Sequence, residues 1–178
     1  MAGNRELTGS DQTEIFKTAL LEVLPQLRAF ARGLCGRRDY ADDLVQEAMV
    51  KAWSSRNSFT PGTSMKSWTF TILRNHYISD LRRNRHYSAL DPQVAESMLI
   101  IPAEQEARVH LSDLDAALQK LSPERREAVV LVGAGGFSYE EAAQICKCPI
   151  GTIRSRVARA RADLAQLLEP DVQGPSAD

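Results

Sequence analysis

Basic side chains recur near the C-terminal end of the chain, where they could bind phosphate. Residues 147–161 contain five basic residues and no acidic one: Lys147, Arg154, Arg156, Arg159 and Arg161. On a helical wheel Thr152, Ser155, Arg156 and Arg159 project to one side, opposite the apolar residues Ile153, Val157, Ala160 and Leu164. A guanidinium group can donate two hydrogen bonds to a phosphate or to a guanine edge. A threonine near the start of a helix lies beside free backbone N–H groups, which attract phosphate. This segment is therefore predicted to contact DNA, although a solvated basic helix would show the same periodicity.

A second basic cluster lies among aromatic residues. Residues 66–87 contain Lys66, Arg74, Arg82, Arg83 and Arg85 against the single acid Asp80. Six of the 11 aromatic residues fall between residues 53 and 87, namely Trp53, Phe59, Trp68, Phe70, Tyr77 and Tyr87. Rings beside a basic helix suit single-stranded DNA, because unstacked bases stack on them while cations follow the backbone. The alternative is that the rings fill the core, which we favour for Trp53 and Trp68; Phe59 and Tyr87 stay open. Asn75 offers both donors and an acceptor that could read a base edge.

A third set of polar residues is acidic and could bind a protein partner. Asp42, Asp43, Gln46 and Glu47 form the polar side of one predicted helix. The alternative is a solvated face whose negative charge favours the start of that helix.

The elements that position the first half of these residues are predicted to be helices. Apolar residues from Ile15 to Leu24 recur at helical spacing, and Pro25 ends or kinks that helix or starts the next one, which runs to Gly36. Asp39 is predicted to cap a third helix. Residues 54–64 are rich in Ser, Asn, Pro and Gly and are predicted to form a loop before a long helix.

The second half shows clear helix-boundary signals. Ser122 and Pro123 indicate a helix start, and the glycines from 133 to 136 indicate its end. Ser138 followed three residues later by Glu141 is a capping box. A tight turn at residues 147–149 then leads to a last helix through Leu168. A short capped helix, a turn and a second helix with a basic outer face form a helix-turn-helix.

The fold is therefore predicted to be all-α, with two small helical modules joined by a linker. The boundaries are an N-terminal tail over 1–11, a first module over 12–87, an acidic linker over 88–111, a second module over 112–169 and a C-terminal tail over 170–178. Modules of this size should have modest stability alone, so docking onto a partner is expected.

Composition excludes several classes of protein. The 178 residues, with 22 basic against 23 acidic side chains, fit one or two small domains and exclude a large multidomain enzyme. No apolar run approaches the ~18 residues that span a bilayer, and the N-terminus lacks the apolar core of a secretory signal. The odd number of cysteines, three, suits a reducing cytoplasm. We therefore predict a cytoplasmic protein that does not bind membranes.

Catalytic and cofactor sites are not predicted. Residues 133–136 resemble a nucleotide-binding loop only loosely, since they follow a helix and lack a Lys-Ser/Thr pair. Cys146 and Cys148 have the spacing of half a metal site, but the three histidines lie far away in the sequence and a second cysteine pair is missing. Cys146 is predicted to be a core residue and Cys148 a turn residue. The chain is predicted to be no enzyme and to need no metal or cofactor.

Four segments in order resemble a known family. Residues 41–53 and 67–75 are similar to region 2 of bacterial RNA polymerase sigma factors of the extracytoplasmic-function (ECF) group. Residues 121–128 and 151–161 are similar to region 4 of the same family. The sequence of residues 27–36 is similar to that of the EcfG-like subgroup of these sigma factors, which acts in the general stress response. The resemblance covers about residues 12 to 168 and implies a sigma factor that directs polymerase to promoters and helps melt the −10 element.

The resemblance also implies site residues and partners. The face formed by Asp42, Asp43, Leu44, Gln46 and Glu47 would dock on the clamp helices of the polymerase largest subunit. The −10 element would be melted and a flipped base captured by Phe59, Lys66, Arg74, Asn75, Arg82 and Arg83. The −35 element would be read by Thr152, Arg154, Ser155, Arg156 and Arg159. Partners would be core RNA polymerase, promoter DNA and an anti-sigma factor of the NepR type, which in this subgroup controls a general stress response.

One alternative belongs to a different functional class. A sigma-like decoy would bind an anti-sigma factor without initiating transcription. Such decoys usually carry a receiver domain, for which roughly 110 further residues would be needed. The arginines at 154, 156, 159 and 161 also argue for DNA binding. A run-off transcription assay with core polymerase distinguishes the two, because a decoy yields no transcript.

Overall fold

The computed structural model describes residues 9–90 and 109–168, with side chains placed over 10–83 and 113–168. Seven α-helices make up these two ranges: α1 (Gly9–Cys35), α2 (Arg38–Ser54), α3 (Met65–Leu90), α4 (Val109–Lys120), α5 (Pro123–Val132), α6 (Tyr139–Cys146) and α7 (Ile150–Leu168). A single 3₁₀ turn, Arg56–Ser58, interrupts the loop between α2 and α3, and the described ranges contain no strand. The predicted all-α class is confirmed.

Helix α1 continues through Pro25, so the prediction that this proline ends one helix or starts another is wrong, and the alternative of a kink stays a prediction. Proline removes one backbone hydrogen bond from a helix interior, which disfavours continuation. Here the buried side chains Val23, Leu27 and Phe30 continue one apolar face across Pro25, and their burial holds the chain helical. Pro25 itself is exposed on the opposite side.

Helix α2 begins one residue before Asp39, which therefore does not cap it. Arg37 occupies the N-cap position with extended backbone angles and no capping side-chain bond, and Asp39 lies in the first turn. A carboxylate there still interacts favourably with the positive end of the helix. The sequence signal therefore placed the start of the helix correctly to within two residues.

Helix boundaries in the second half follow the sequence signals more closely. Ser122 stands at the N-cap of α5, with Pro123 as the first helical residue, although the Ser122 side chain makes no capping bond. Ser138 and Glu141 form the predicted capping box at α6. Lys147 ends α6 in the left-handed conformation, with φ of 53°, and α7 runs to Leu168 as predicted.

The two predicted modules share one hydrophobic core. Helices α1 to α3 form the first bundle and α4 to α7 the second, and α1 and α3 each pack on helices of the second bundle. The main cluster of buried residues includes Leu27, Phe30 and Phe70 from the first bundle with Leu131 and Phe137 from the second. In this arrangement each bundle covers an apolar face of the other.

Helix α3 continues to Leu90 and α4 begins at Val109, so both helices extend into the range 88–111 assigned to the linker, whose boundaries stay a prediction. Residues 91–108 lie outside the described part of the chain, as do residues 1–8 of the predicted N-terminal tail and the whole predicted C-terminal tail. Among the described helices none is long and apolar enough to cross a bilayer.

Candidate nucleic-acid and protein-binding surfaces

Helices α6 and α7 form the helix-turn-helix that the sequence predicts. The capped helix α6, the left-handed Lys147 and the residues Cys148 and Pro149 bring the chain to the start of α7. Ile153, Val157 and Ala160 are buried and hold α7 on the rest of the second bundle. The helix is therefore fixed by its apolar side, and its polar side is turned away from the core.

The basic side of α7 faces outward. Arg154, Ser155 and Arg159 are exposed, and Thr152 and Arg156 are half-buried near the turn. Nη1 of Arg156 lies 3.9 Å from Sγ of Cys148, and Nη2 of Arg154 lies 3.9 Å from Oε1 of Glu140. The Arg154–Glu140 pair is about two-thirds exposed, so solvent screens it and both groups can exchange partners. All five predicted −35 residues are therefore exposed or half-buried on α7, with Arg154 on the flank that faces Glu140 of α6.

The six predicted −10 residues do not all lie on one accessible surface. Asn75, Arg82 and Arg83 are exposed along α3, with Arg83 Nη2 at 3.4 Å from Asp80 Oδ1. Lys66 and Arg74 instead face the second bundle. The fork of Arg74 binds the carboxylate of Glu127, and this pairing raises the pKa of Arg74 although burial acts to lower it.

Phe59 lies in a cluster of four aromatic rings at the mouth of an open groove. Its ring centroid lies 5.7 Å from that of Phe16 and 5.3 Å from that of Trp68. Trp53 completes the cluster, 6.2 Å from Phe16, with the guanidinium of Arg56 5.1 Å from its ring centroid. The groove has a volume of about 810 Å³ and lies between the start of α1 and the loop before α3.

Trp68 is half-buried against a small core, as predicted, whereas Trp53 is 38% exposed and is not a core residue. Trp53 lies near the end of α2, where its ring contacts Phe16 of α1 and the guanidinium of Arg56. Phe59, which the sequence left open, is half-buried and also lines the groove. Phe16 and Phe59 thus line the groove, and Trp53 and Trp68 pack on these two rings.

The acidic face of α2 is accessible, with one exception. Asp43, Gln46 and Glu47 are exposed and Asp42 is half-buried. Leu44, predicted to belong to this face, is 1% exposed and packs in the main core, so it supports the face from beneath and is not a contact residue. Its position, one residue after Asp43, turns it about 100° toward the core.

A groove beside this face was missed by the sequence analysis. It has a volume of about 710 Å³ and lies between α1 and α2. Arg28, Arg32 and Arg38 line it together with Asp42 and the 70% exposed Val50. The four-residue spacing of Arg28 and Arg32 on the polar side of α1 was the available signal. The acidic face is therefore bordered by cations and by exposed apolar surface.

The cysteines behave as core and turn residues. Cys146 is buried and Cys148 lies in the turn before α7, as predicted. Burial raises the pKa of Cys35 and that of Cys146 to about 12, so both thiols stay protonated near neutral pH. Within the described ranges no group of His, Cys, Asp and Glu side chains could hold a metal ion.

Comparison with known proteins identifies the two bundles. Sigma-70 region 2 matches residues 20–87, and Sigma-70 region 4 matches residues 111–164. The ECF RNA polymerase sigma factor EcfG of Rhodopseudomonas palustris (strain TIE-1) is 47% identical over 89% of this chain and 88% of that protein. The chain is an extracytoplasmic-function sigma factor of bacterial RNA polymerase.

Solved structures agree with this assignment over both regions of the sigma factor. The sigma factor RpoE of Bartonella quintana, solved in complex with the anti-sigma factor NepR, is 46% identical and superposes with a TM-score of 0.76 over 89% of this chain and 99% of that one. CnrH, solved with the cytosolic domain of CnrY, is 26% identical with a TM-score of 0.66 over 91% and 95% of the two chains. Helices α1 to α3 are thus region 2, and α4 to α7 are region 4.

As a sigma factor, the protein is a transcription regulator that binds core polymerase and promoter DNA. The resemblance noted from the four sequence segments is confirmed in both regions and in their order.

Proposed function

We propose that this sigma factor divides promoter recognition among three surfaces, each with its own partner. The observation that carries the proposal is the orientation of α7: its apolar stripe is buried while its hydroxyl and guanidinium groups point outward beside the turn. An outward basic helix of this kind enters the major groove, where arginine reads guanine edges and threonine contacts phosphate. Thr152, Arg154, Ser155, Arg156 and Arg159 would read the −35 element.

Region 2 would melt the −10 element and hold one of its strands. Asn75, Arg82 and Arg83 line the exposed side of α3, and the groove beside Phe59 could accept an unstacked base. Unstacking a base costs a few kcal/mol, and stacking that base on a protein ring contributes ~1–3 kcal/mol, which offsets the cost. Lys66 and Arg74 would join this surface once region 4 no longer covers them. No covalent chemistry is required of the chain, and we propose that it is not an enzyme.

Core polymerase would bind the exposed acidic residues of α2. Asp42, Asp43, Gln46 and Glu47 present carboxylates and an amide beside the exposed Val50, a combination of polar contacts and apolar area that suits a protein partner. We assign this face to the clamp helices of the polymerase largest subunit.

Regulation by an anti-sigma factor follows from the relatives. The Bartonella quintana sigma factor was solved bound to NepR, so we propose a NepR-type anti-sigma factor as the partner that controls this chain, in a general stress response. We expect the protein to act in the cytoplasm, where polymerase and promoters are found.

A reconstituted transcription assay tests this division of labour. Asp43→Arg should abolish run-off transcription and core-polymerase binding while leaving −35 duplex binding unchanged, because the substitution reverses charge on the acidic face only. Asp113→Arg makes the same charge change on the exposed side of α4 and serves as the control. If wild-type protein with core polymerase produced no transcript from any promoter, the decoy alternative would hold instead. Equal loss of transcription in both variants would remove the α2 assignment.

A further inference from the structure

One acidic residue lies among the basic residues of α3. Residues 66–87 contain five basic side chains and Asp80 as the single acid. Asp80 lies three residues before Arg83, which is one of the residues proposed to contact the −10 strand, and its side chain is 23% exposed. A carboxylate at this position repels the phosphates of an approaching strand. The contacts that Asp80 makes explain its place in this basic segment.

Two side chains hold the carboxylate of Asp80 at the packed surface between α2 and α3. The phenol hydroxyl of Tyr40, in α2, donates to Oδ2 of Asp80 at 3.1 Å. Nη2 of Arg83 lies 3.4 Å from Oδ1, the other oxygen of the same carboxylate. One oxygen is therefore tied to the neighbouring helix, and the other is paired with a proposed DNA contact.

Tyr40 is a fixed donor to Asp80. It is half-buried and packs on the main core, which limits the movement of its ring. Burial, together with the charge and the hydrogen bond of Asp80, raises the pKa of Tyr40 above its ordinary value. The phenol therefore keeps its proton at neutral pH and remains a donor. An exposed Arg–Asp pair orders its partners only weakly, but here the acid is held from α2 as well.

Arg83 and its neighbour Arg82 have the same charge but lie on different sides of α3. At about 100° per residue, Arg82 lies within about 20° of the line of Asn75 and about 160° from Asp80. Arg83 is turned about 80° from Asn75, toward Asp80, and is ~12 Å further along the helix axis than Asn75. Asp80 can therefore restrain Arg83 and not Arg82, although both arginines are exposed.

A restrained arginine discriminates between strands better than a free one. Phosphates repeat along every strand and carry no sequence information, so an arginine that can swing finds one in any sequence. An arginine held in one place meets a phosphate in good geometry only when base contacts, such as those proposed for Asn75, have fixed the register of the strand. Restraint in the free protein also lowers the entropy cost of ordering Arg83 on the correct strand.

We propose that Asp80 and Tyr40 are positioning residues that make the phosphate contact of Arg83 depend on the register of the −10 strand, and so raise the discrimination between promoter sequences. This rests on the proposed role of Arg83 in −10 binding. Neither positioning residue needs to touch DNA, because Asp80 acts through Arg83 and Tyr40 acts through Asp80.

Binding of single strands to the holoenzyme, reconstituted from the full chain and core polymerase, tests this role. Fluorescence anisotropy compares a labelled strand from the −10 region of a promoter that the holoenzyme transcribes with a strand of the same composition in scrambled order. Asp80→Asn should raise affinity for the scrambled strand about threefold, the scale of one exposed ion pair, and change affinity for the −10 strand much less. The ratio of the two affinities should therefore fall, and an unchanged ratio would overturn the proposal.

Tyr40→Phe separates positioning from charge, because it releases Asp80 and leaves every charge in place. It should lower the same ratio, mainly through weaker binding of the −10 strand, and leave the salt slope unchanged because no cation is gained or lost. Tyr139→Phe removes a phenol hydroxyl from α6 and serves as the control, with the wild-type ratio. A wild-type ratio in Tyr40→Phe would mean that only the charge of Asp80 matters, which contradicts a positioning role.

Replacement of each arginine shows which cation Asp80 acts through. In an Arg83→Ala background, Asp80→Asn should no longer change the ratio of affinities. In an Arg82→Ala background it should change the ratio as in the wild type, since Arg82 lies on the other side of α3. Equal coupling of Asp80 to both arginines would reduce its effect to general charge, and the proposal would then be wrong.

Failure of the −10 role of Arg83 gives a different result. If Arg83→Ala left −10 affinity and its salt slope unchanged, Arg83 would not contact the strand, and both that assignment and the proposal would fall. If Arg83→Ala instead lowered the slope by about 0.7, while Asp80→Asn and Tyr40→Phe kept the wild-type ratio, the −10 role would stand and only the positioning role would fall.

Discussion

At the scale of single residues, side chains of the same type have different surroundings along one helix. Arg159 and Arg161 of α7 are exposed, whereas Arg156 is half-buried beside the turn, with its Nη1 3.9 Å from Sγ of Cys148. Arg74 and Arg82 differ even more, since one is paired with a buried carboxylate and the other faces solvent. Charge counts along the sequence cannot separate these cases, because they contain no information about what packs on each side.

The outward arginines give a direct test of −35 recognition. Arg156→Ala and Arg159→Ala should each weaken binding to a −35 duplex roughly tenfold, as expected for the loss of a base or phosphate contact. Fluorescence anisotropy over a range of salt concentrations measures this. Arg161→Ala, with the same charge change on the same helix, should lose less than threefold. Similar losses in all three variants would mean that α7 attracts DNA by charge alone.

The buried thiols make a second prediction at this scale. Because the pKa of Cys35 and Cys146 is raised to about 12, at pH 8 only about one such thiol in ten thousand is the reactive thiolate. Iodoacetamide should therefore modify Cys148 of the native chain first, and all three cysteines at similar rates in urea. Peptide mass spectrometry gives the order. Fast labelling of Cys35 in the native protein would indicate that the end of α1 is uncovered.

At the scale of elements, helix ends with a side-chain cap were easier to predict than those without. The capping box of Ser138 and Glu141 combines two local hydrogen bonds, so the sequence alone locates it. Asp39 carries the same type of signal but lies inside the first turn of α2. Pro25 indicates a helix end, yet tertiary burial of Leu27 and Phe30 outweighs the lost backbone bond.

The two serines at helix starts provide a matched pair for stability. Ser138→Ala should lower the free energy of unfolding by about 1 kcal/mol, because it removes the hydroxyl that accepts from the Glu141 N–H. Ser122→Ala should cost less than about half as much, since that hydroxyl makes no capping bond. Urea unfolding followed by circular dichroism measures both. The reverse order would contradict the assigned caps.

Most of the candidate surfaces were predictable because they follow from local periodicity. The wheel of α7 places Ile153 and Val157 inward and Arg159 outward, as found. The errors arose where a polar run of the sequence overlaps the apolar periodicity of a helix, or where two helices pack together. Leu44 lies within an acidic sequence, but its side chain points to the core. The arginines of α1 border the acidic face only because α1 and α2 pack side by side. Local sequence patterns do not predict which helices pack together.

At the scale of the whole molecule, the sequence predicted two modules and a need for a docking partner but not that each module would cover the other. The signals for that contact are single residues far apart in the chain: Gly33, Arg74 and Glu127. No local pattern of the sequence pairs these residues with one another, and each has a reasonable local explanation. Long-range pairing of this kind appears only when the fold brings the residues together.

The Gly33→Ala substitution should change the free energy of unfolding, and the sign of that change depends on the arrangement of the two regions. In an exposed helix Gly33→Ala would stabilise the protein by about 1 kcal/mol through helix propensity. With the two regions packed together the new methyl overlaps Val130, so we expect destabilisation of about 1–3 kcal/mol. Gly151→Ala is the control, because a Cβ there meets nothing within 4 Å and the change should stabilise α7. Calorimetry on the full chain gives both signs, and stabilisation by Gly33→Ala would argue for separated regions.

The aromatic cluster of region 2 also makes the molecule its own optical probe. The chain has two tryptophans, Trp53 and Trp68, and both lie in that cluster beside the groove. Excitation of indole therefore reports on region 2 alone, with no dye attached and no background from region 4. A base that stacked on this aromatic cluster would quench the emission, so arrival of the melted strand can be timed in a stopped-flow instrument with the unmodified protein.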